Sequence, residues 1–109
     1  MKHINSALHR KKFEVLAATR SVQAAMMTLR PGQDTGPPQN EHPHCEQWLF
    51  VAAGSGQAIV GRRRIGLRRN SLLLINKGEV HRIKNTGLRP LVTLNVYSPP
   101  AYTPQGELK

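Results

Sequence analysis

Three histidines have the spacing to act together: His42 and His44, one residue apart, and His81 later in the chain. In an extended strand, alternate residues share a face about 7 Å apart, so the first pair can converge on one metal ion. Around the third, Val80, Arg82 and Lys84 alternate with His81, Ile83 and Asn85. Charged Arg82 and Lys84 belong in water, which turns His81 inward. An inward imidazole without a partner costs roughly 1–3 kcal/mol, and a metal shared with His42 and His44 would satisfy all three. Imidazole donors suit zinc, iron, manganese, nickel or copper. Open coordination positions at a barrel mouth would admit a small-molecule substrate.

Acid–base candidates are scarce beyond Glu46 and Tyr97. Thr93, Asn95 and Tyr97 share one face of an apolar run and, if inward, add polar groups to an aliphatic pocket. Cys45 has the wrong parity to join His44 and reads as a bystander thiol.

The elements that must carry these residues are short. Residues 22–29, 47–52, 57–61, 63–67, 71–75, 80–84 and 91–97 read as strands, separated by Gly, Pro and Asn turns. Residues 13–18 fit a strand or one helical turn. No convincing helix of ten or more residues emerges, so the fold class is all-β, a small antiparallel barrel or jelly roll. One domain over 13–103 is expected, with a loose tail at 1–12 and a polar tail at 104–109. Trp48 and Phe50 alternate with Gln47, Leu49 and Val51. If the latter face inward, the two aromatics form an outer apolar face for which a homodimer is the natural cover, with the amino-terminal segment as the other choice.

The formal charge is +10 over 109 residues. It concentrates in Arg10-Lys11-Lys12 and in Arg62-Arg63-Arg64 with Arg68-Arg69. The second group flanks Gly61 and Gly66, an expected hairpin tip. A solvated turn is the simpler reading. A phosphate-contacting tip is the alternative, but no aromatic interleaves the arginines to stack on bases, so nucleic acid is not the expected partner. One cysteine excludes an intrachain disulfide. No apolar run fits a signal sequence or a membrane span, and a cytoplasmic location is expected.

Two segments resemble the motifs of the cupin superfamily. The stretch HPHCEQWLFVAAGSG, residues 42–56, is similar to the first: a His-x-His pair, an acidic or amide ligand, and a strand ending at glycine. The stretch NSLLLINKGEVHRIKN, residues 70–85, is similar to the second, with Gly78, His81 and Asn85 in place. LRPG at 29–32 and VTLNVYSPP at 92–100 also look like small one-domain cupins. The resemblance spans about residues 20 to 102. It implies the same barrel, a divalent metal and a sheet-to-sheet homodimer. Asn70 stands where the motif has glycine, and Asn tolerates a left-handed turn. Asn76 stands where it has proline. Counting back from Gly54 puts Gln47 at the fourth-ligand position, with Glu46 as the alternative. The resemblance implies a metalloenzyme acting on a small organic molecule, of dioxygenase, isomerase or polyketide-tailoring type. A non-catalytic ligand-binding or sensor protein is the second reading, and nucleic-acid association through the basic tip the third.

Overall fold

A computed structural model describes residues 1–37 and 43–109; His42 lies outside the described residues. Among the described residues eight strands form in chain order: β1 (Phe13–Ala18), β2 (Gln23–Leu29), β3 (Glu46–Ala53), β4 (Gly56–Val60), β5 (Arg63–Leu67), β6 (Leu72–Ile75), β7 (His81–Lys84) and β8 (Leu91–Ser98). Each expected strand is present within a residue or two, and residues 13–18 form a strand. One sheet has the order β1-β2-β8-β3-β6 and the other β5-β4-β7. All pairs are antiparallel. The two sheets face each other as a jelly roll. None of the described helices is long and apolar enough to cross a membrane.

Alternation along the strands builds the core. Leu29, Leu49, Val51, Ala58, Leu67, Ile75, Ile83 and Leu91 are all buried and in mutual contact. At about 25 cal/mol per Å² of apolar surface removed from water, this layer is the main stabilising term. Two tight turns set its registers. Asn70 adopts φ 73°, the left-handed conformation expected of it. Gly54 has φ +83°, and a Cβ there would sit 2.2 Å from the Pro90 carbonyl oxygen, so only glycine lets the end of β3 close onto the start of β8.

Both tails engage the barrel. Near the amino terminus, residues Ser6–Leu8 form a 3-10 turn capped by Asn5. His9 contacts Glu14, and the Thr28 N–H donates to the Lys12 carbonyl, so this end is tethered rather than loose. At the other end, Tyr102 bridges Leu108 across a turn at Gly106, which folds 104–109 back. The reason is a buried side chain: Gln23 donates to the Tyr102 carbonyl and accepts from the Ala101 and Tyr102 N–H groups. Tyr97, Tyr102 and Ala101 then form a second apolar cluster with Ala25 and Cys45, against which Phe13 and Val15 pack.

Candidate metal centre

The site is built where the first residues of β3 meet the last residues of β8. In register, Gln47 lies opposite Tyr97 on one side and Ile75 on the other. The β3 burial pattern runs buried at Gln47, Leu49 and Val51 and exposed at Trp48 and Phe50. Gln47 is therefore an inward amide, 4% exposed. Its Nε2 donates to Asn95 Oδ1 at 2.9 Å. Asn95 Nδ2 donates to Thr93 Oγ1 at 3.0 Å and to the Thr93 carbonyl at 3.4 Å; a carbonyl only accepts, which fixes which end of each amide faces which. Gln47 Oε1 is left buried and without a hydrogen-bond partner among the described residues. A buried carbonyl oxygen in that state is a ready donor to a cation.

His81 opens β7 on the opposite sheet. Its register partner is the buried Val60, and it shares a face with Ile83 and Asn85, both 1% exposed. The alternation read from Arg82 and Lys84 thus holds. The ring is half-buried, and Nδ1 lies 3.0 Å from the Glu79 carbonyl oxygen. A carbonyl only accepts, so Nδ1 carries a hydrogen in this contact. A backbone carbonyl on the far nitrogen is the usual support of a metal-binding imidazole.

His44 is exposed and lies in a turn with Pro43, two residues before β3 begins. The strand spacing expected for His42 and His44 does not apply to it, because Pro43 has no N–H to enter a ladder. Where His42 stands falls outside the described residues. Among the described residues no three His, Cys, Asp or Glu side chains gather at ligand range. The expected set differs in kind, since it draws one donor from His42 and another from an amide.

Glu46 is half-buried and, by strand alternation, lies on the face of Trp48 and Phe50, away from Gln47. Of the two candidates for fourth ligand, Gln47 is the inward one. Tyr97 is inward and buried, with its ring 5.1 Å from that of Tyr102 in an edge-on contact. Thr93, Asn95 and Tyr97 do share the inner face of β8. Cys45 is buried beside Tyr97 and Ala101, and burial pushes its thiol pKa up, so it stays protonated at neutral pH. On the rim, an open cavity of about 390 Å³ is lined by Val60, Ile65 and Leu73 together with Arg63 and Glu79. Val60 is the register neighbour of His81, so this cavity adjoins the inner face of β7.

The Thr93–Asn95–Gln47 chain was missed as a unit in the sequence. Alternation could place each residue inward, but only the β3–β8 register joins them. The two arginine groups do not share one hairpin tip. Gly66 sits inside β5, opposite Gln57, while Gly61 makes the hairpin turn. Arg62 and Arg68 thus flank opposite ends of β5, separated by roughly 16 Å or more at about 3.3 Å per residue.

Comparison with known proteins agrees with this architecture. The Cupin domain family matches residues 25–97. Among curated proteins, the chain is 31% identical over 84 residues to the uncharacterized protein YrkC of Bacillus subtilis, covering 72% of this chain and 44% of that one. It is 30% identical over 77 residues to the tetracenomycin polyketide synthase protein TcmJ of Streptomyces glaucescens, covering 71% and 50%. The chain spans about half the length of these curated relatives. A crystal structure from Bacillus halodurans superposes with a TM-score of 0.83 at 29% identity, covering 94% of this chain and 80% of that one. A predicted oxalate decarboxylase from Thermotoga maritima gives 0.68 at 23% identity, covering 74% and 69%, which speaks for the fold alone. With a jelly roll of the right strand order and a family match across both motifs, the chain belongs to the cupin domain family.

Proposed function

We propose that this cupin holds a divalent metal ion through His42, His44, His81 and Gln47 and acts as a metalloenzyme on a small organic molecule. The observation that carries the reading is the buried Gln47 Oε1, held in place through Nε2 by Asn95 and left without a partner among the described residues. An uncharged oxygen donor beside imidazoles fits zinc, iron, manganese, nickel or copper. Such an ion would supply Lewis acidity toward a substrate oxygen.

The chain's own residues supply the rest. Asn95 and Thr93 orient the Gln47 amide, and the Glu79 carbonyl accepts from His81 Nδ1. Tyr97, across from Gln47, places a phenol within the same inner layer, where it can hold a proton near a bound substrate. Arg63 and Glu79 on the rim give a polar entrance to an aliphatic lining. The similarity to a polyketide synthase protein supports a polyketide-type substrate and a tailoring reaction, with isomerisation and dioxygenation as the other reaction types of this reading. The soluble homodimer through the Trp48 face belongs to the same proposal.

One observation favours a second reading, a non-catalytic ligand-binding cupin. Glu46 lies on the outer-face parity and leaves the inner layer without a carboxylate from β3. Turnover assays on keto-sugar, catechol and aromatic polyketide panels, run with metal-loaded protein and with His81→Ala, separate the two. Turnover lost in His81→Ala supports the enzyme. Saturable binding of a panel member with no turnover supports the binding module.

A further inference from the structure

We propose that a groove at the other pole of the barrel from Gln47 binds a small phosphate ester. Arg10, Arg30, Arg69 and Arg89 line it, over a floor that includes Ala53, Pro90 and Val92. Its volume is about 790 Å³, within the range of roughly 300–1,000 Å³ usual for small-ligand sites. Among the described residues no Asp or Glu lines it. The four arginines come from four separate stretches of chain: the amino-terminal segment, the turn after β2, the turn between β5 and β6, and the loop before β8.

Like charges gathered in one concavity repel, so the fold must hold their backbones in place. It does so with local bonds. Around Arg69, the Arg68 N–H donates to Ser71 Oγ and the Asn70 N–H to the Val51 carbonyl. At Arg89, the carbonyl accepts from Asn85 Nδ2, and at Arg30 the N–H donates to Gln33 Oε1. Arg10 Nη1 donates to the Ser6 carbonyl. The nearest carboxylates along these stretches are engaged elsewhere: Glu14 contacts His9 and Asp34 contacts Arg82. Gly54, lacking a side chain, lets β3 close on Pro90 and makes the apolar floor continuous.

The chemistry selects the ligand. Guanidinium forks match pairs of phosphate oxygens, and a monoester carries about −1.5 to −2 charge at pH 7. The floor takes an apolar skeleton. Among the described residues no aromatic lines the groove, so none of them stacks on nucleic-acid bases there. The strands β3 and β8 separate Ala53 and Val92 from Gln47 and Tyr97 by roughly 16–20 Å at about 3.3 Å per residue. The groove is therefore distinct from the candidate metal centre and does not depend on it.

The test is a titration of the full chain with phenyl phosphate, followed by amide NMR. Saturable shifts are expected at Gly54, Ser55 and Val92, with Gln47 and Asn95 unmoved. Arg69→Ala with Arg89→Ala weakens binding by about tenfold or more. Arg69→Lys, which keeps the charge and loses the fork, gives an intermediate loss and guards against a folding defect. Arg62→Ala with Arg64→Ala, beside the hairpin tip and lining neither cavity, leaves binding unchanged. The proposal is overturned if phenol shifts the same amides equally, or if the Arg69/Arg89 variant, with a dispersed spectrum, binds as the parent does. It is also overturned if a short oligonucleotide binds the groove about a hundredfold more tightly than phenyl phosphate, which would make it a nucleic-acid site.

Discussion

Gln47 donates through Nε2 to Asn95 Oδ1 at 2.9 Å across the β3–β8 ladder. That bond, together with the Thr93 carbonyl that accepts from Asn95 Nδ2, decides which end of the Gln47 amide is available. Replacing Asn95 with Leu removes the acceptor and lets the amide rotate. Metal affinity should fall about 10–100-fold, the usual effect of losing a supporting hydrogen bond. Asn95→Asp, which keeps an acceptor oxygen, should retain more of it. Competition against a chromogenic chelator reads both. Unchanged affinity in a folded Asn95→Leu protein would show that Gln47 is not a ligand.

Gln23 holds the carboxy-terminal segment through three hydrogen bonds to Ala101 and Tyr102. Gln23→Leu keeps the volume and strands those backbone groups. A loss of about 1–3 kcal/mol is expected in urea unfolding. The amides of residues 101–109 should also exchange faster with solvent.

The Arg82 guanidinium beside Asp34 holds its carboxyl below the ordinary value of 3.8, with the Gly36 N–H assisting. A carboxyl depressed in the folded state contributes stability above its unfolded value and loses it as pH falls through the folded one. Asp34→Asn should therefore flatten the drop in stability below that ordinary value and change its shape little at neutral pH. Denaturant midpoints measured down the acid limb give the comparison. Parallel curves for both proteins would contradict it.

Trp48, Phe50 and Leu72 are exposed at 40%, 36% and 61%, with Trp48 and Phe50 on the outer face of β3 and Leu72 paired to Phe50 on β6. A second copy of the same sheet is the proposed cover. Sedimentation should give a dimer for the parent and a monomer for Trp48→Glu. Leu88→Glu, at a 97% exposed site in the loop before β8, should remain dimeric. A monomeric parent would remove the proposal.

Much of this molecule was legible from local pattern. Strand alternation placed Gln47 and His81 inward, because two-residue periodicity survives folding. Asn70 was read as a left-handed turn from its side-chain type, and it is one. What was not legible depends on contacts distant in sequence. Strand spacing was expected of His42 and His44, whereas Pro43 and His44 lie in a turn ahead of β3. The fold-back of 104–109 needs Gln23, about eighty residues earlier. The arginine groove joins Arg10, Arg30, Arg69 and Arg89, none of them neighbours in the chain, while Arg62 and Arg69, close in sequence, lie beyond opposite ends of β5.

Calorimetric titration of manganese or zinc into chelator-treated protein tests the central claim most directly. The account predicts a single saturable ion per chain, with affinity lowered about a hundredfold or more in His81→Ala and in His44→Ala. His3→Ala, in the amino-terminal segment, should bind as the parent does. A parent that binds no ion saturably, or His81→Ala and His44→Ala proteins that bind as tightly as the parent, would contradict it.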